Sequence, residues 1–143
     1  YNKKLLQTFC RVSKSLHMDH VLVVHGSDGL DEITITGDTY VSELKNNEIS
    51  EYIISPKELG LKTASLDMIS AISPRDSLML VKEAFSGKNS PVQDMIALNS
   101  GAALYIAKIV NSINDGVELS FELMRNGNAA NKLESYVEAS NQL

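Results

Sequence analysis

One short run of residues constrains the fold of this chain more than any other. Four consecutive apolar residues, Val21 to Val24, lead directly into the glycine-containing stretch His25 to Glu32. An uninterrupted apolar run rich in β-branched residues is typical of a strand buried on both faces, as in a parallel sheet covered by helices. Gly26 and Gly29 interrupt regular structure, so residues 25–32 are predicted to form a loop at the C-terminal end of this strand. Ligands bind at that end of open α/β sheets.

The segments around this strand predict an α/β fold with a helical C-terminal half. Leu5, Phe9 and Leu16 recur at helical spacing, which indicates an amphipathic helix over residues 2–16. After the loop, Ile33 and Ile35 alternate with threonines and predict a short strand. Residues 40–44 and 49–54 flank the polar turn 45–48 and predict a β-hairpin.

Four helices are predicted to follow the hairpin. Ser73-Pro74 and Ser90-Pro91 are helix starts, the first stopped by Gly87 and the second extended by an apolar stripe from Val92 to Ile109. Apolar spacing indicates two more helices, one over Val117–Met124 ending at Gly127 and one over Ala130–Ser140. In the second of the four helices, the small residues 100–103 would let a neighbouring element approach closely.

Composition limits the classes of function. Residues 1–143 are expected to form one domain, with no apolar run near the roughly 18 residues that cross a bilayer and no signal peptide. The single cysteine, Cys10, cannot form an internal disulfide, so the cytoplasm is the expected compartment, and we interpret Cys10 as a packing residue. A net charge of −5 opposes nucleic-acid binding. Because the first residue is Tyr1 rather than Met, we expect a fragment of a longer protein.

The loop offers a candidate metal site. In a glycine-flanked loop, the adjacent carboxylates of Asp31 and Glu32 can turn toward one ion, and Mg²⁺ is often held by one or two carboxylates plus water and phosphate. Taken alone, the dipeptide is better explained as a solvated acidic turn. The third acid Asp28, the two glycines and the preceding strand favour the metal site. No catalytic side chain is predicted.

Other polar residues have structural interpretations. His17 and His20 lack a metal-binding pattern and are interpreted as surface or junction residues. For His25, orienting the loop through a hydrogen bond and contacting substrate are equally supported. Asn99 lies on the apolar stripe of a predicted helix, where we expect its amide to bond a neighbouring loop rather than substrate. Tyr105 is interpreted as a core residue.

The sequence resembles the anthranilate phosphoribosyltransferase family over nearly all of its length from Val21 onward. The motif VVHGSDGLDE (residues 23–32) is similar to a family signature. Further similar segments follow in the family's order: PKELGL (56–61), FSGK (85–88), LNSGAALYIA (98–107) and DGVELSFELMRNGNA (115–129). One departure is SAISPRDS (70–77), where family members often carry a glycine pair.

The resemblance implies a partial α/β domain of the nucleoside phosphorylase/phosphoribosyltransferase type, the C-terminal portion of a longer enzyme. It implies transfer of a phosphoribosyl group from phosphoribosyl pyrophosphate to anthranilate, a step of tryptophan biosynthesis that depends on Mg²⁺. Asp31 and Glu32 are the implied metal ligands, and His25, Gly26, Asp28 and Gly29 are candidates for the substrate loop. The full-length enzyme is expected to be a homodimer through an N-terminal domain, with no nucleic-acid or membrane partner.

The family's GTGGD-type phosphate loop, its KHG segment and its anthranilate-contacting residues do not occur in this sequence. We therefore expect the 143-residue chain alone to be inactive. Two alternatives remain open at this point: a non-catalytic, nucleic-acid-binding relative of the same fold, and a structural or interaction domain.

Overall fold

A computed structural model describes residues 2–142 as a three-stranded sheet with helices on both faces. The first helix precedes the sheet and the other four follow it, in agreement with the predicted α/β class and helical C-terminal half. The strands are β1 (His20–Gly26), β2 (Thr39–Lys45) and β3 (Glu48–Ile54), and the helices are α1 (Leu6–Ser15), α2 (Pro74–Phe85), α3 (Pro91–Ile106), α4 (Ile113–Arg125) and α5 (Asn128–Ser140). Short 3-10 turns cover Lys3–Leu5, Pro56–Leu59 and Leu66–Met68.

The sheet corrects the expectation for β1. Both strand pairs are antiparallel, with β2 in the centre, so β1 has a strand partner on one edge only among the described residues. Residues 21–25 of β1 are half-buried, whereas Val41 to Leu44 of β2 are all buried. The prediction of a strand at the apolar run is confirmed, but the strand covered on both faces is β2, whose sequence mixes apolar and polar residues.

Helices cover both faces of β2. Val41 packs in the main core with residues of α3 and α4, such as Leu98 and Val117. α1 contacts β1 and β2, and the Cys10 thiol donates to the carbonyl oxygen of Ser42 at 3.1 Å. Cys10 is fully buried, which confirms its interpretation as a packing residue.

The predicted hairpin and helix starts are confirmed because each depends on local chemistry. Asn46 and Asn47 adopt positive φ angles of 51° and 65°, as tight two-residue hairpin turns require. The Ser73 and Ser90 hydroxyls accept the first-turn amides of α2 and α3 at 3.1 Å. The predicted strand at Ile33–Ile35 is wrong: this segment is irregular, although Ile33, Thr34 and Ile35 are buried.

The small residues of α3 allow the close contact that the sequence predicted. A Cβ atom added to Gly101 would lie 2.6 Å from the backbone nitrogen of Val117 in α4. Gly116 meets the backbone of Gly101 in return, so glycine on both helices lets α3 and α4 touch backbone to backbone. This contact fixes α3, the helix that carries Asn99, against α4. No helix within residues 2–142 is long and apolar enough to cross a membrane.

Candidate functional site

The candidate site is the loop that follows β1, and its first turn depends on glycine. The Gly26 amide donates to the carbonyl of Leu30 at 2.8 Å, and the Gly29 amide donates back to the carbonyl of Gly26 at 3.0 Å. Gly29 has a φ of 96°, a backbone conformation that other residues rarely adopt. A Cβ atom at Gly26 would collide with the Asp28 carboxylate and lie 3.1 Å from the Thr34 methyl group. Both glycines are therefore required by the turn.

Asp28 holds the two sides of the loop together. One carboxylate oxygen accepts the hydroxyls of Thr34 and Thr36 at 2.6 and 2.5 Å, and the other accepts the Leu30 amide at 3.0 Å. Partial burial tends to raise the pKa of Asp28, but these hydrogen bonds outweigh that effect, and the pKa is lowered. In the described structure Asp28 organises the loop. Sequence reasoning missed the roles of Thr34 and Thr36, since an alternating threonine is equally typical of a strand.

Asn99 of α3 holds the far side of the loop. Its side-chain oxygen accepts the Ile33 amide at 3.0 Å, and its side-chain nitrogen donates to the Ile33 carbonyl at 2.8 Å. The same nitrogen donates to the Met95 carbonyl at 3.1 Å. The amide thus satisfies both backbone groups of a buried residue, which a neighbouring strand would otherwise do. This confirms that Asn99 bonds a loop, and it explains why Ile33 needs no strand partner.

Asp31 and Glu32 lie between these two sets of contacts. Both are exposed, and neither has a side-chain hydrogen bond or ion pair with another described residue. Their backbone is held on one side by Asp28 and on the other by Asn99. The arrangement leaves two hard oxygen donors free while fixing the peptide that carries them.

The carboxylates of Asp31 and Glu32 fit a Mg²⁺ site whose remaining ligands are water and substrate phosphates. Across residues 2–142, no three His, Cys, Asp or Glu side chains gather as a ligand set. Mg²⁺ commonly keeps several waters and takes one or two carboxylates together with substrate phosphates. Two adjacent exposed carboxylates on a fixed loop suit that coordination better than they would suit Zn²⁺, which prefers nitrogen and sulfur ligands.

His25 does not orient the loop through its ring in the described structure. It is the penultimate residue of β1, opposite Tyr40 in β2, and is half-buried. Its ring makes no hydrogen bond to another described residue; Asp28 and Asn99 fix the loop instead. The predicted loop bounds are wrong at their start, since His25 and Gly26 are the last residues of β1, whereas Gly29, with its positive φ, lies in the turn as predicted.

The opposite end of β1 corrects the interpretation of His20. Only 4% of its side-chain surface is exposed, and its Nε2 atom lies 2.7 Å from Oε1 of Glu43. The Tyr105 hydroxyl donates to the same oxygen at 2.8 Å. Burial tends to raise the pKa of Glu43, but hydrogen bonds from His20, Tyr105 and Tyr52 lower it on balance. His20 is a junction residue but not a surface residue, whereas His17 is exposed.

The family model described as "Glycosyl transferase family, a/b domain" matches residues 1–130. The chain is 41% identical over 140 residues to the anthranilate phosphoribosyltransferase of Vesicomyosocius okutanii subsp. Calyptogena okutanii (strain HA), covering 98% of this chain and 41% of that protein. The chain therefore spans about two-fifths of the length of such curated relatives.

Solved structures of similar fold are also anthranilate phosphoribosyltransferases, and the chain again covers about two-fifths of each. The anthranilate phosphoribosyltransferase of Thermus thermophilus matches with a TM-score of 0.87 and 31% identity, over 96% of this chain and 40% of that one. The Saccharomyces cerevisiae enzyme in complex with phosphoribosyl pyrophosphate and Mg matches with a TM-score of 0.86 and 23% identity, over 100% of this chain and 42% of that one. At that identity the yeast match establishes the fold alone.

Proposed function

This chain belongs to the glycosyl transferase family through its α/β domain, and on that premise we propose that it is the C-terminal part of a magnesium-dependent anthranilate phosphoribosyltransferase. The resemblance to anthranilate phosphoribosyltransferases that its motifs predicted is confirmed by the relatives it matches. The proposed full-length enzyme moves the phosphoribosyl group of phosphoribosyl pyrophosphate to the amine of anthranilate and releases pyrophosphate. This places it in tryptophan biosynthesis, with the cytoplasm as its expected compartment.

The proposal depends on the adjacent carboxylates of Asp31 and Glu32, which lie on an ordered loop and bond no other described side chain. Asp31 and Glu32 are exposed, while the residues on either side of them are held by Asp28 and Asn99. Such a loop loses little conformational freedom when it binds an ion, since its backbone is already ordered. The yeast enzyme of the same fold, solved with phosphoribosyl pyrophosphate and Mg, supports the choice of Mg²⁺ as the ion.

These contacts suggest a separate role for each residue of the loop. Mg²⁺ would neutralise charge on the departing pyrophosphate, as metal ions do at developing anions. Asp31 and Glu32 would hold the ion by their free oxygens. Gly26 and Gly29 would set the turn, and Asp28 would fix it through Thr34 and Thr36. We assign proton transfer to none of these residues.

The metal assignment is tested by Asp31→Asn and Glu32→Gln in the full-length enzyme, with Glu122→Gln on the exposed face of α4 as the matched control. Each loop variant should lower kcat/KM on the order of 100-fold, as loss of one charge-stabilising contact commonly does. Each should also raise the Mg²⁺ concentration needed for half-maximal rate. Glu122→Gln should leave both quantities within twofold.

A readout independent of turnover uses Mn²⁺ as a paramagnetic stand-in for Mg²⁺. In the wild-type enzyme, Mn²⁺ should broaden the amide signals of residues 30–33, and the broadening should be lost in the Asp31→Asn, Glu32→Gln double variant. Normal rates and normal metal response in both single variants would show that the metal is held elsewhere.

We further propose that residues 1–143 form part of a larger α/β domain and have no transferase activity alone. One edge of β1 lacks a strand partner among the described residues, and α1 exposes Phe9, Val12 and Leu16 on one face. Both surfaces are suited to further protein, and the chain spans only about two-fifths of its relatives. The phosphate loop and acceptor pocket of the family are absent from the sequence. Turnover by the purified 143-residue chain would refute this.

The alternatives predict different results. A nucleic-acid-binding relative should shift a labelled DNA or RNA in a gel, which we do not expect for a chain of net charge −5. A purely structural domain should leave the amides of residues 26–32 unmoved during a Mg²⁺ titration. The homodimer expected for the full-length enzyme is open to direct measurement by sedimentation.

A further inference from the structure

A cavity lies at the end of β1 opposite the candidate metal loop. Its volume is about 680 Å³. It is lined by the end of α1 and the connection that follows, by the β2–β3 turn and by the end of α3 with its following residues. Because β1 has seven residues, at about 3.3 Å per residue roughly 20 Å separates this cavity from the loop. It is therefore a separate site.

The cavity concentrates positive charge in an acidic protein. Lys14, Lys45 and Lys108 line it, against a single exposed carboxylate, Asp19, while the chain as a whole carries a net charge of −5. Lys14 donates to the backbone carbonyl of Asn47 at 2.7 Å and Lys45 to the Tyr105 hydroxyl at 2.8 Å. Within residues 2–142 the only ion pair is that of His20 with Glu43. None of the three ammonium groups forms an ion pair with a described carboxylate, although the hydrogen bond to Tyr105 and the nearby Glu43 charge raise the pKa of Lys45.

The backbone around the cavity is unusual. All four non-glycine residues with positive φ in the described chain line it: His17, Asn46, Asn47 and Lys108. The two asparagines belong to the hairpin turn. His17 and Lys108 follow the ends of α1 and α3, a position where glycine is usual because side chains there cost about 1 kcal/mol or more. His17 and Lys108 therefore place ionisable side chains at positions where glycine would make the protein more stable.

The wall of the cavity contains an unsatisfied polar atom. Nδ1 of His20, a residue that lines the cavity, is buried and has no hydrogen-bond partner among the described residues. Its other nitrogen bonds Glu43, and its ring packs edge-on against Tyr105 with centroids 4.8 Å apart. Buried polar atoms without partners are rare and cost about 1–3 kcal/mol each.

From these observations we infer that this cavity binds a small oxyanion, a phosphate or carboxylate group, through Lys14, Lys45 and Lys108. The site does not depend on the proposed transferase activity, because none of its residues belongs to the loop that carries Asp31 and Glu32. Unpaired ammonium groups on three different elements can surround one anion, and a cleft focuses their field despite the negative net charge.

The experiment compares Lys108→Ala with Lys132→Ala, a matched exposed lysine on α5, in the full-length protein. Inorganic phosphate and malonate are titrated separately by calorimetry, so the two arms distinguish a phosphate from a carboxylate ligand. Lys108→Ala should weaken binding of the preferred anion at least tenfold, and Lys132→Ala by less than twofold. Transferase activity should stay within twofold in both variants, which separates this cavity from any phosphate bound at the metal loop.

Crystals of the full-length protein soaked in selenate give the position of the anion directly. The anomalous selenium signal should lie in the cavity, within hydrogen-bond distance of Lys45 or Lys108. Equal anion affinity in the Lys108→Ala and Lys132→Ala variants, or selenate bound elsewhere and not in the cavity, would overturn the inference while leaving the metal assignment untouched.

Discussion

The two ends of β1 both present acidic side chains, but they use them in opposite ways. At the N-terminal end, Glu43 is buried and accepts hydrogen bonds from His20 and Tyr105. At the C-terminal end, Asp31 and Glu32 are exposed and make no such bonds. A buried carboxylate must be paired to be tolerated, whereas an exposed one on an ordered loop can remain free for a ligand. Being acidic and near the end of a strand is therefore not sufficient evidence for a metal ligand.

Asp28 shows that the distinction also holds within one loop. It is three residues from Asp31, yet its carboxylate accepts three hydrogen bonds from the loop itself. Acids that stabilise the fold, such as Asp28, are therefore distinct from acids that are free to bind a metal ion, such as Asp31. Substitutions should reproduce that separation, with large effects on stability at Glu43 and small ones at Asp31.

The strongest test is Glu43→Ala, which removes the acceptor shared by His20 and Tyr105. The substitution leaves the His20 ring and the Tyr105 hydroxyl without their shared acceptor, at about 1–3 kcal/mol for each unpaired buried group, so the free energy of unfolding of the full-length protein should fall by about 3 kcal/mol or more in urea denaturation. Asp31→Ala, the contrasting substitution, should change it by less than about 0.5 kcal/mol. Equal losses in the two variants would remove the distinction between the ends of β1.

A smaller effect is expected for Asn99→Ala, which leaves the amide and carbonyl of buried Ile33 without partners. Unpaired buried groups of this kind cost about 1–3 kcal/mol, so thermal denaturation should show a loss of about 2 kcal/mol. The variant should also need more Mg²⁺ for half-maximal rate, because the far side of the loop is released. Asn114→Ala on exposed α4 is the control; an Asn99→Ala enzyme with wild-type stability and metal response would show that the loop does not need α3.

Sequence reasoning succeeded where the causes are local. The Asn46-Asn47 turn and the Ser90 helix start depend on residues within a few positions, and both are present in the structure. The close approach of α3 to α4 was anticipated from Gly101, because a missing side chain is itself a local signal.

It failed where the partner is distant in sequence. Alternating Ile and Thr residues predicted a strand at Ile33–Ile35, but Asn99, 66 positions away, satisfies the Ile33 backbone instead. His20 was assigned partly to the surface because Glu43, its partner 23 positions away, leaves no local pattern. The covered strand was misassigned for a similar reason: the burial of β2 depends on helices that precede and follow the sheet.

The smallest effect on the free energy of unfolding is expected for Asp28→Asn. The hydrogen bonds hold the pKa of Asp28 below its ordinary value of 3.8, so the unfolded chain binds the proton more readily than the folded one. The stability that this carboxylate contributes is therefore present above about pH 4 and is lost as the pH falls through the lower, folded-state pKa. Because the loop is partly solvated, we expect Asp28→Asn to cost about 1 kcal/mol at pH 7. Measured by urea denaturation from pH 7 to pH 3, the difference in free energy of unfolding from wild type should shrink toward the acid end.

Asp67→Asn, the control at an exposed acid elsewhere, should cost less than about 0.5 kcal/mol at pH 7. A difference at Asp28 that stayed constant with pH would mean that the loop is held by the shape of the side chain rather than by its charge.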